Sequence, residues 1–389
     1  MNHVGRTALP VALTAVLCAC GSMPAALSTA TPSVSTSSAL QPTATPCSAT
    51  GVLAGWPLQR LAEQTIVVPV DGSDPEAVLP EVAAGAGGVI LFGSSAPADL
   101  AAELQALTAA APQGLAPFVM TDEEGGAVQR MANLAGALPS ARDMAATMTP
   151  AQIQQLAASA ALRMRAAGVT MDLAPVLDLD GGDGPNNADP DGTRSFSIDP
   201  SIATPDALAF AAGLMQGGVI PVVKHFPGLG QASGNTDVTP ATTLPWNQLQ
   251  SRGLLPFAAA VQDALPAVMV ANASVPGLTD QPASISSAAI AGVLRQQLGF
   301  TGLVMTDSLS ATALAKIGYD VTHAVVAALT AGADLTLFSA DAQHVQSETA
   351  ASAAAIVSAA ETGQLSRSRL VDAVVHILAA KHVDPCAAA

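Results

Sequence analysis

Charged residues are scarce in this chain. Lys, Arg, Asp and Glu make up only 11% of its 389 residues, and 30 acidic residues against 14 basic ones give a net charge of −16. An acidic surface repels phosphate backbones and anionic lipid headgroups, so the composition argues against nucleic acid as a partner. Because charges are few, each one inside a patterned segment carries more information than usual.

Sequence patterns of cofactor and metal sites are also missing. No Gly-x-Gly-x-x-Gly follows a predicted strand, and no Cys/His cluster has the spacing of zinc ligands. The segment 178–192, DLDGGDGPNNADPDG, has the composition of a calcium loop. Its spacing fails the D-x-[DN]-x-[DN]-G-x₅-E pattern, so we interpret it as a solvated loop. We expect neither a cofactor nor a metal ion.

Only four cysteines are present, and two of them lie near the N-terminus. Arg6 precedes the apolar stretch 7–17, which is too short to span a bilayer as a mature helix. The following LCAC at 17–20 is similar to a bacterial lipobox, which implies a lipoprotein signal peptide at 1–19 and a lipid on Cys20. An ordinary signal peptide is the alternative. We expect a secreted protein that is anchored to the outer face of the cell membrane.

The segment 20–50 contains mostly Ser, Thr, Pro and Ala without apolar periodicity. Such a segment cannot pack a core, so it predicts a flexible tether ahead of a single domain at 51–389. Cys47 and Cys386 flank the patterned part of the chain. In an oxidising compartment we expect them to form a disulfide, and two separate free thiols are the alternative.

Short apolar runs alternate with longer Ala-rich segments from residue 56 onward. The runs predict strands at 64–70, 87–92, 118–122, 169–175, 220–225, 267–273, 302–307 and 333–339, and helices include 97–111, 150–167, 204–216 and 286–298. Apolar runs without alternation are typical of parallel strands that are buried on both faces. Eight such units predict an α/β fold, a single-domain (β/α)₈ TIM-type barrel, and a doubly wound open sheet is the alternative.

Polar residues recur where the predicted strands end. They are Asp122, Asp172, Lys224, His225, Asn272 and Asp307. In a barrel, the carboxyl ends of the strands meet on one face, where the active site lies. One such residue alone is usually a cap or a structural group. Six at the same register predict the rim of an enzyme active site.

Several motifs together resemble glycoside hydrolase family 3. In chain order they are GGVILFG, TDEEGGAVQRM (121–131), DLAPVLDL, GTRSF, KHFPG and VLRQQLGFTGLVMTDSLS (293–310). The likeness extends from about residue 56 to 380 and points to the single-domain β-N-acetylglucosaminidases of that family. It implies a cofactor-free enzyme that hydrolyses terminal β-linked N-acetylglucosamine in a carbohydrate substrate such as a peptidoglycan fragment. We expect a monomer.

Carried over residue by residue, the resemblance makes Asp307 the nucleophile that forms a glycosyl-enzyme intermediate. Asp122, Arg194, Lys224 and His225 would bind sugar hydroxyls, since carboxylates accept hydrogen bonds and Lys and Arg donate them. Asp307 must be ionised to attack, and Lys224 favours that form. The alternatives are a salt bridge that shapes a loop for Asp122 and Arg194, and a merely packed side chain for His225.

The loop after KHFPG departs from the family pattern. Where the family has an Asp-x-His acid/base dyad, this chain has Asn235-Thr236-Asp237. Other departures are Ala127, Leu229, Asn272 and Ser308. In one interpretation Asp237 is the acid/base, because retaining glycosidases commonly place a second carboxylate about 5–5.5 Å from the nucleophile. In the other, the protein binds glycans with impaired catalysis, since losing acid/base help costs ~10²–10⁴ in rate.

Replacing Cys20 by Ala tests the lipid anchor. The variant should leave the membrane fraction while its barrel stays folded, because the tether separates the anchor from the domain. Cell fractionation followed by immunoblotting measures this, and Cys18→Ala, which changes only a residue removed with the signal peptide, is the matched control. A Cys20→Ala protein that still sediments with membranes contradicts the assignment.

Overall fold

The computed structural model describes residues 47–387. The predicted signal peptide (1–19), the lipidation at Cys20 and most of the predicted tether (20–50) lie outside these residues. The first described helix, Ala49–Ala54, begins before the predicted end of the tether, and the Ser48 hydroxyl accepts a hydrogen bond from Gly51 N there. None of the helices between residues 47 and 387 has the length and apolarity to cross a membrane.

Eight parallel strands form one sheet. They are β1 Ile66–Asp71, β2 Gly88–Phe92, β3 Phe118–Thr121, β4 Met171–Asp172, β5 Ile220–Phe226, β6 Ala267–Val270, β7 Leu303–Thr306 and β8 Thr336–Leu337. Their order in the sheet is β8-β1-β2-β3-β4-β5-β6-β7. Met305 forms a parallel bridge with Leu335, and Thr306 N donates to Leu335 O at 3.1 Å, which nearly closes the sheet. The predicted barrel is confirmed, and the open sheet is not observed.

Every predicted strand overlaps an observed one, but the fourth and eighth shorten to two residues each. After β4, Pro175 has no N–H to donate to a regular ladder, so the pairing continues through single bonds. Val222 N donates to Ala174 O at 3.1 Å, and Leu177 N donates to Lys224 O at 2.6 Å. Sequence periodicity therefore locates these strands correctly and overestimates their length.

Helices surround the barrel. The α-helices are Ala49–Ala54, Leu58–Gln64, Leu79–Ala84, Leu100–Ala110, Ala132–Ala135, Ala141–Thr147, Pro150–Ala166, Pro200–Gln216, Trp246–Ser251, Leu255–Gln262, Thr312–Ala315, Val321–Ala331, Val345–Thr362 and Arg367–Ala380. A π-helix covers Ala288–Gln297, and 3₁₀ turns cover Pro75–Val78, Gly192–Arg194 and Ala283–Ile285. The predicted helices at 97–111, 150–167 and 204–216 are present with small shifts, and 286–298 contains the π-helix.

The core has two layers, which explains the unbroken apolar runs of the strands. One cluster fills the barrel and includes Val67, Met120, Met269 and Met305. The other lies between the sheet and the helices and includes Val68, the next residue along β1. Successive strand residues point to opposite faces, so both faces of each strand must be apolar.

Cys47 and Cys386 form a disulfide in the structure, with a Cα–Cα distance of 6.0 Å. The N-terminal and C-terminal segments of the domain also contact each other directly, apart from the disulfide. Helix Ala49–Ala54 packs against helix Arg367–Ala380, and the Arg367 guanidinium donates to Ala54 O at 2.9 Å. The disulfide therefore links two segments that already contact each other.

Peptide mapping of unreduced protein should show a Cys47–Cys386 crosslink. The bond spans 339 residues, and in the chain-entropy model such a closure stabilises the fold by a few kcal/mol. The Cys47→Ser, Cys386→Ser double variant should therefore melt at a lower temperature. A reductant should lower the melting temperature of the wild type but not that of the variant. Two alkylatable thiols in the native secreted protein contradict the crosslink.

Candidate active site

A cavity of about 540 Å³ opens at the carboxyl ends of the strands. The six catalytic and sugar-binding residues predicted from the sequence all line it: Asp122, Arg194, Lys224, His225, Asp237 and Asp307. Most of them follow or end strands that are far apart in sequence, and closure of the barrel brings them together. The expectation that strand ends converge on one rim is met for Asp122, Lys224, His225 and Asp307, whereas Arg194 and Asp237 reach the cavity from loops.

Two of the strand-end residues, Asp172 and Asn272, do not line the cavity. Asp172 is buried, and its Oδ1 accepts a hydrogen bond from Glu123 N at 2.9 Å. Asn272 donates to Ser308 O at 2.7 Å and accepts a hydrogen bond from the Ser284 hydroxyl at 2.6 Å. Both residues support the backbone around the site, as a strand-end residue usually does.

Glu124 connects two cations of the cavity. Lys224 Nζ donates to Asp122 Oδ1 at 2.8 Å and lies 2.6 Å from Glu124 Oε1. Arg194 Nε and Nη2 donate to the two oxygens of Glu124, both at 2.8 Å. Burial alone raises the pKa of Glu124, but Arg194 and Lys224 outweigh it and hold that pKa well below its ordinary value. Glu124 is therefore ionised at neutral pH and is not a proton donor.

Arg194 combines a structural contact with free hydrogen-bonding capacity. Three of its five N–H groups are used, two by Glu124 and one by Pro190 O at 2.9 Å. Two remain, and the side chain lines the cavity. The salt bridge and the sugar contact that were alternatives for Arg194 are thus compatible with each other.

His225 is held by Asp178. The His225 backbone N–H and Nδ1 lie 2.9 and 2.6 Å from Asp178 Oδ2, and Leu229 N donates to the other oxygen at 2.5 Å. Burial lowers the pKa of His225 to about 4, so the ring is neutral at neutral pH. A neutral ring that donates from Nδ1 to Asp178 presents Nε2 as an acceptor for a hydroxyl.

Asp307 follows β7, and its Oδ1 accepts a hydrogen bond from Ser308 N at 2.7 Å. Burial raises the pKa of Asp307 from its ordinary value, and the charge of Asp237 adds to this. The hydrogen bond from Ser308 N and the charge of Lys224 act in the opposite sense but do not reverse the shift. Lys224 therefore favours ionisation of Asp307 as expected, but burial has the larger effect.

The loop that carries Asp237 lies against two neighbouring segments. Asn235 N donates to Asn187 O at 3.2 Å, and Thr236 O accepts a hydrogen bond from Ala313 N at 3.0 Å. Asn235 Oδ1 in turn accepts a hydrogen bond from Asp237 N at 2.9 Å. Asn235 thus forms a local turn, and the exposed Asp237 lies at the cavity wall.

The Asp- and Asn-rich segment 178–192 uses these side chains to form turns. Asp180, Asn186 and Asp189 accept hydrogen bonds from nearby backbone N–H groups. The middle of the segment is exposed, but Asp178 and Asp191 are fully buried. The prediction of a solvated loop is therefore wrong at its two ends, which lie beside the cavity.

Asp178, Asp191 and His225 bring one ligand atom each to within 4.8 Å of one another. Their chemistry suits a divalent cation, but their surroundings do not. Arg194 and Lys224 place two positive charges beside them. Burial, together with the charge of Asp178, raises the pKa of Asp191 to about 8, which favours its neutral acid form. We assign no metal to this cluster.

Comparisons with known sequences agree with the motifs. The family profile described as "Glycosyl hydrolase family 3 N terminal domain" matches residues 74–380. Beta-hexosaminidase LpqI from Mycobacterium tuberculosis is 39% identical over 289 residues, 72% of this chain and 73% of that protein. A beta-hexosaminidase from Methylobacillus flagellatus is 34% identical over 260 residues, which are 64% of this chain and 72% of that protein.

Solved structures give the same result. The structure of Mycobacterium tuberculosis LpqI has a TM-score of 0.76 at 34% identity and covers 87% of this chain and 98% of its own. A beta-N-acetylhexosaminidase from Beutenbergia cavernae has a TM-score of 0.75 at 31% identity. The match covers 85% of this chain and 100% of that chain. The chain therefore belongs to glycoside hydrolase family 3 and is a glycosidase.

Proposed function

We propose that this protein removes terminal β-linked N-acetylglucosamine from glycans, such as peptidoglycan fragments, through a covalent intermediate on Asp307. The observation that carries the proposal is the arrangement of the cavity, where Asp307 and the network of Asp122, Lys224, Glu124 and Arg194 line the same space. The relatives named as beta-hexosaminidases support an N-acetylhexosamine as the sugar.

The sugar would be bound by alternating acceptors and donors. Asp122 offers a carboxylate, Lys224 and Arg194 offer N–H groups, and His225 offers Nε2. A sugar hydroxyl both donates and accepts, so vicinal hydroxyls match such an alternating set. Because Glu124 and Asp178 hold these side chains before the ligand arrives, little ordering is needed on binding.

In the first chemical step, an Asp307 oxygen bonds to the anomeric carbon while the glycosidic oxygen leaves and takes a proton from the acid/base. In the second, the acid/base removes a proton from water, and the water oxygen displaces Asp307. The attacking carboxylate must be ionised. Because the pKa of Asp307 is raised, activity should decline as pH falls through a value above the ordinary Asp range.

We assign the acid/base role to Asp237. It lines the cavity with Asp307, and the two charges interact. A carboxyl group keeps its proton near neutral pH when burial and a like charge disfavour the ionised form. A bound sugar that covers Asp237 would exclude water from it beside Asp307. Asp237 is exposed, and this observation favours the second candidate function, a glycan-binding protein with impaired catalysis.

We also propose that residues 1–19 are a lipoprotein signal peptide and that Cys20 carries the lipid. The tether would then hold the barrel at the outer face of the membrane. The LCAC sequence at 17–20 and the Ser-, Thr-, Pro- and Ala-rich segment after it support this proposal.

Asp237→Ala tests the acid/base assignment. With aryl N-acetylglucosaminides whose leaving groups need little protonation, the intermediate on Asp307 should accumulate. Azide attacks without help from a base, so it should speed turnover of the variant and yield a β-glycosyl azide. Steady-state rates and product mass spectra measure this, with Asp263→Ala, an exposed acid elsewhere, as the control.

Three outcomes separate the alternatives. Equal activity in Asp237→Ala and wild type would mean that the proton comes from another group. A wild type that binds N-acetylglucosamine but hydrolyses no glycoside would make the protein a binding protein. The Asn235→Asp, Asp237→His double variant restores the family dyad, and a large gain near pH 7 would show that only a group of suitable pKa is missing.

Glu124→Gln tests the cation network. The amide keeps the shape but removes the charge that Lys224 and Arg194 share, and breaking one partner of a buried pair typically costs 3–5 kcal/mol. We expect a large loss of stability in urea and a fall of at least about 10²-fold in kcat/KM. Glu361→Gln, on an exposed helix face, is the control.

The pH dependence of stability gives a second measure of Glu124. Its pKa is lowered in the folded state, so its contribution is present above its unfolded pKa and is lost as pH falls through the lower folded value. The stability difference between wild type and Glu124→Gln should therefore persist at pH 5 to 7 and shrink in strong acid. A difference that is independent of pH down to strong acid contradicts this account.

A further inference from the structure

A cavity of about 550 Å³ lies at the end of the barrel that faces away from the catalytic one. Phe118 and Ile220, the first residues of β3 and β5, line it together with Thr170, which directly precedes β4. The strands of the sheet are parallel, so their amino ends lie on the face opposite the catalytic cavity. The residues that follow helix Arg367–Ala380 form another part of the wall.

This cavity is lined by positive charge in a chain whose net charge is −16. Arg165, Lys381 and His382 line it, and none of its lining residues is Asp or Glu. Arg165 lies in the last turn of helix Pro150–Ala166, and Lys381 caps helix Arg367–Ala380. The helix dipole favours a cation at both places, but it does not supply the hydrogen-bond acceptors that these side chains need.

Lys381 has few polar contacts within the protein. Its Nζ donates to Gln64 Oε1 at 3.2 Å and lies 5.1 Å from the centre of the Phe118 ring. Burial lowers the pKa of Lys381 to about 7, and within residues 47–387 no carboxylate offsets this effect. An ammonium has three donors, so two remain. Because Lys381 is half-buried and lines the cavity, a ligand there can contact it.

Arg165 and His382 extend the same set of donors. Both are exposed, and in the described part of the chain neither side chain donates a hydrogen bond to another residue. His382 has a φ of 56°, in the left-handed region where glycine usually ends a helix. A histidine at this place has an energetic cost, and it brings an imidazole to the cavity wall.

The remaining walls are mostly apolar, and they indicate the class of ligand. They include Ala111, Pro112, Pro117, Ile220 and Val383. The guanidinium fork matches the two oxygens of a carboxylate, and an ammonium adds a further charge-assisted hydrogen bond. An inorganic anion would contact the cations but leave the apolar walls in water, whereas an acid with an apolar body would cover both. The volume is typical of sites for small molecules.

We propose that this cavity binds a small organic acid, with its carboxylate on Lys381 and Arg165 and its apolar body against Phe118 and the neighbouring apolar wall. The site is separate from the catalytic cavity. It does not depend on the proposed function, because no step of glycoside hydrolysis involves its residues.

Matched probes test the site. Benzoate, 4-phenylbutanoate and octanoate are each compared with the corresponding amide, which has the same apolar body without the charge. Acetate and inorganic phosphate carry charge without that body. In calorimetric titrations at pH 6 and low salt, at least one of the three larger acids should bind about tenfold more tightly than its amide, as a charge-assisted hydrogen bond provides. Acetate and phosphate should bind at least about tenfold more weakly than that acid.

Variants locate the binding. Lys381→Met keeps an unbranched apolar stem over Phe118 and removes the charge, so it should abolish the preference for the acid over its amide. Lys381→Arg restores a cation and should keep most of the preference. Lys316→Met removes an exposed lysine that does not line the cavity, so it should bind as the wild type does. Thermal unfolding verifies that each variant is folded.

Proton uptake provides a second measurement. A bound carboxylate favours the ammonium form, so binding should raise the pKa of Lys381 from about 7 and take up protons at pH 7.5. For the same reason, affinity should fall as pH rises above 7. Calorimetry in buffers of different ionisation enthalpy measures the uptake. Arg165 and His382 are the other titratable groups of the lining. His382→Asn, which suits the left-handed backbone, should keep the uptake, and Lys381→Met should lose it.

Several results would overturn the proposal. They are equal affinities of all the acids and their amides, a preference that survives Lys381→Met, and a preference that Lys316→Met also removes. Acetate and phosphate that bind as tightly as the larger acids would show general attraction of anions, which also overturns it. The assay measures binding without turnover, so its failure leaves the proposed function intact, and failure to hydrolyse glycosides leaves this site intact.

Discussion

The ionised carboxylate of Glu124, buried between Lys224 and Arg194, is the interaction on which the site depends. Lys224 lies on β5 and Arg194 ends the 3₁₀ turn Gly192–Arg194, 30 residues earlier in the chain, and Glu124 contacts both. Without it, two positive charges would face each other in a space that excludes most water. With it, their remaining N–H groups are directed to the place where we expect the sugar.

The backbone next to Glu124 holds this side chain between Lys224 and Arg194. Gly125 and Gly126 have φ values of 99° and 58°, and a Cβ on either would collide with Pro139 or Ser140. The two glycines are therefore required by a turn that only residues without a side chain can make. Glu123 in turn accepts hydrogen bonds from the backbone N–H groups of Arg130 and Met131. This is the physical reason for the EEGG sequence.

Much of this architecture could be predicted from the sequence, for a local reason. Parallel strands buried on both faces produce unbroken apolar runs, and a barrel collects their ends, so Asp122, Lys224 and Asp307 were located correctly. Two roles were not predictable, because they depend on contacts between distant residues. Arg194 and Glu124 are 70 residues apart, and Asp178 and His225 are 47 apart. The hydrophobic periodicity of a strand or helix does not show which distant residues will contact each other.

Trapping the covalent intermediate tests the account most directly. A 5-fluoro-N-acetylglucosaminyl fluoride combines a good leaving group with a slowed second step, so the sugar should remain on the nucleophile. Mass spectrometry of the protein and of its peptides should show one adduct, attached to Asp307, and none in Asp307→Asn. An adduct on another residue, or hydrolysis by the wild type without any adduct, would contradict the mechanism.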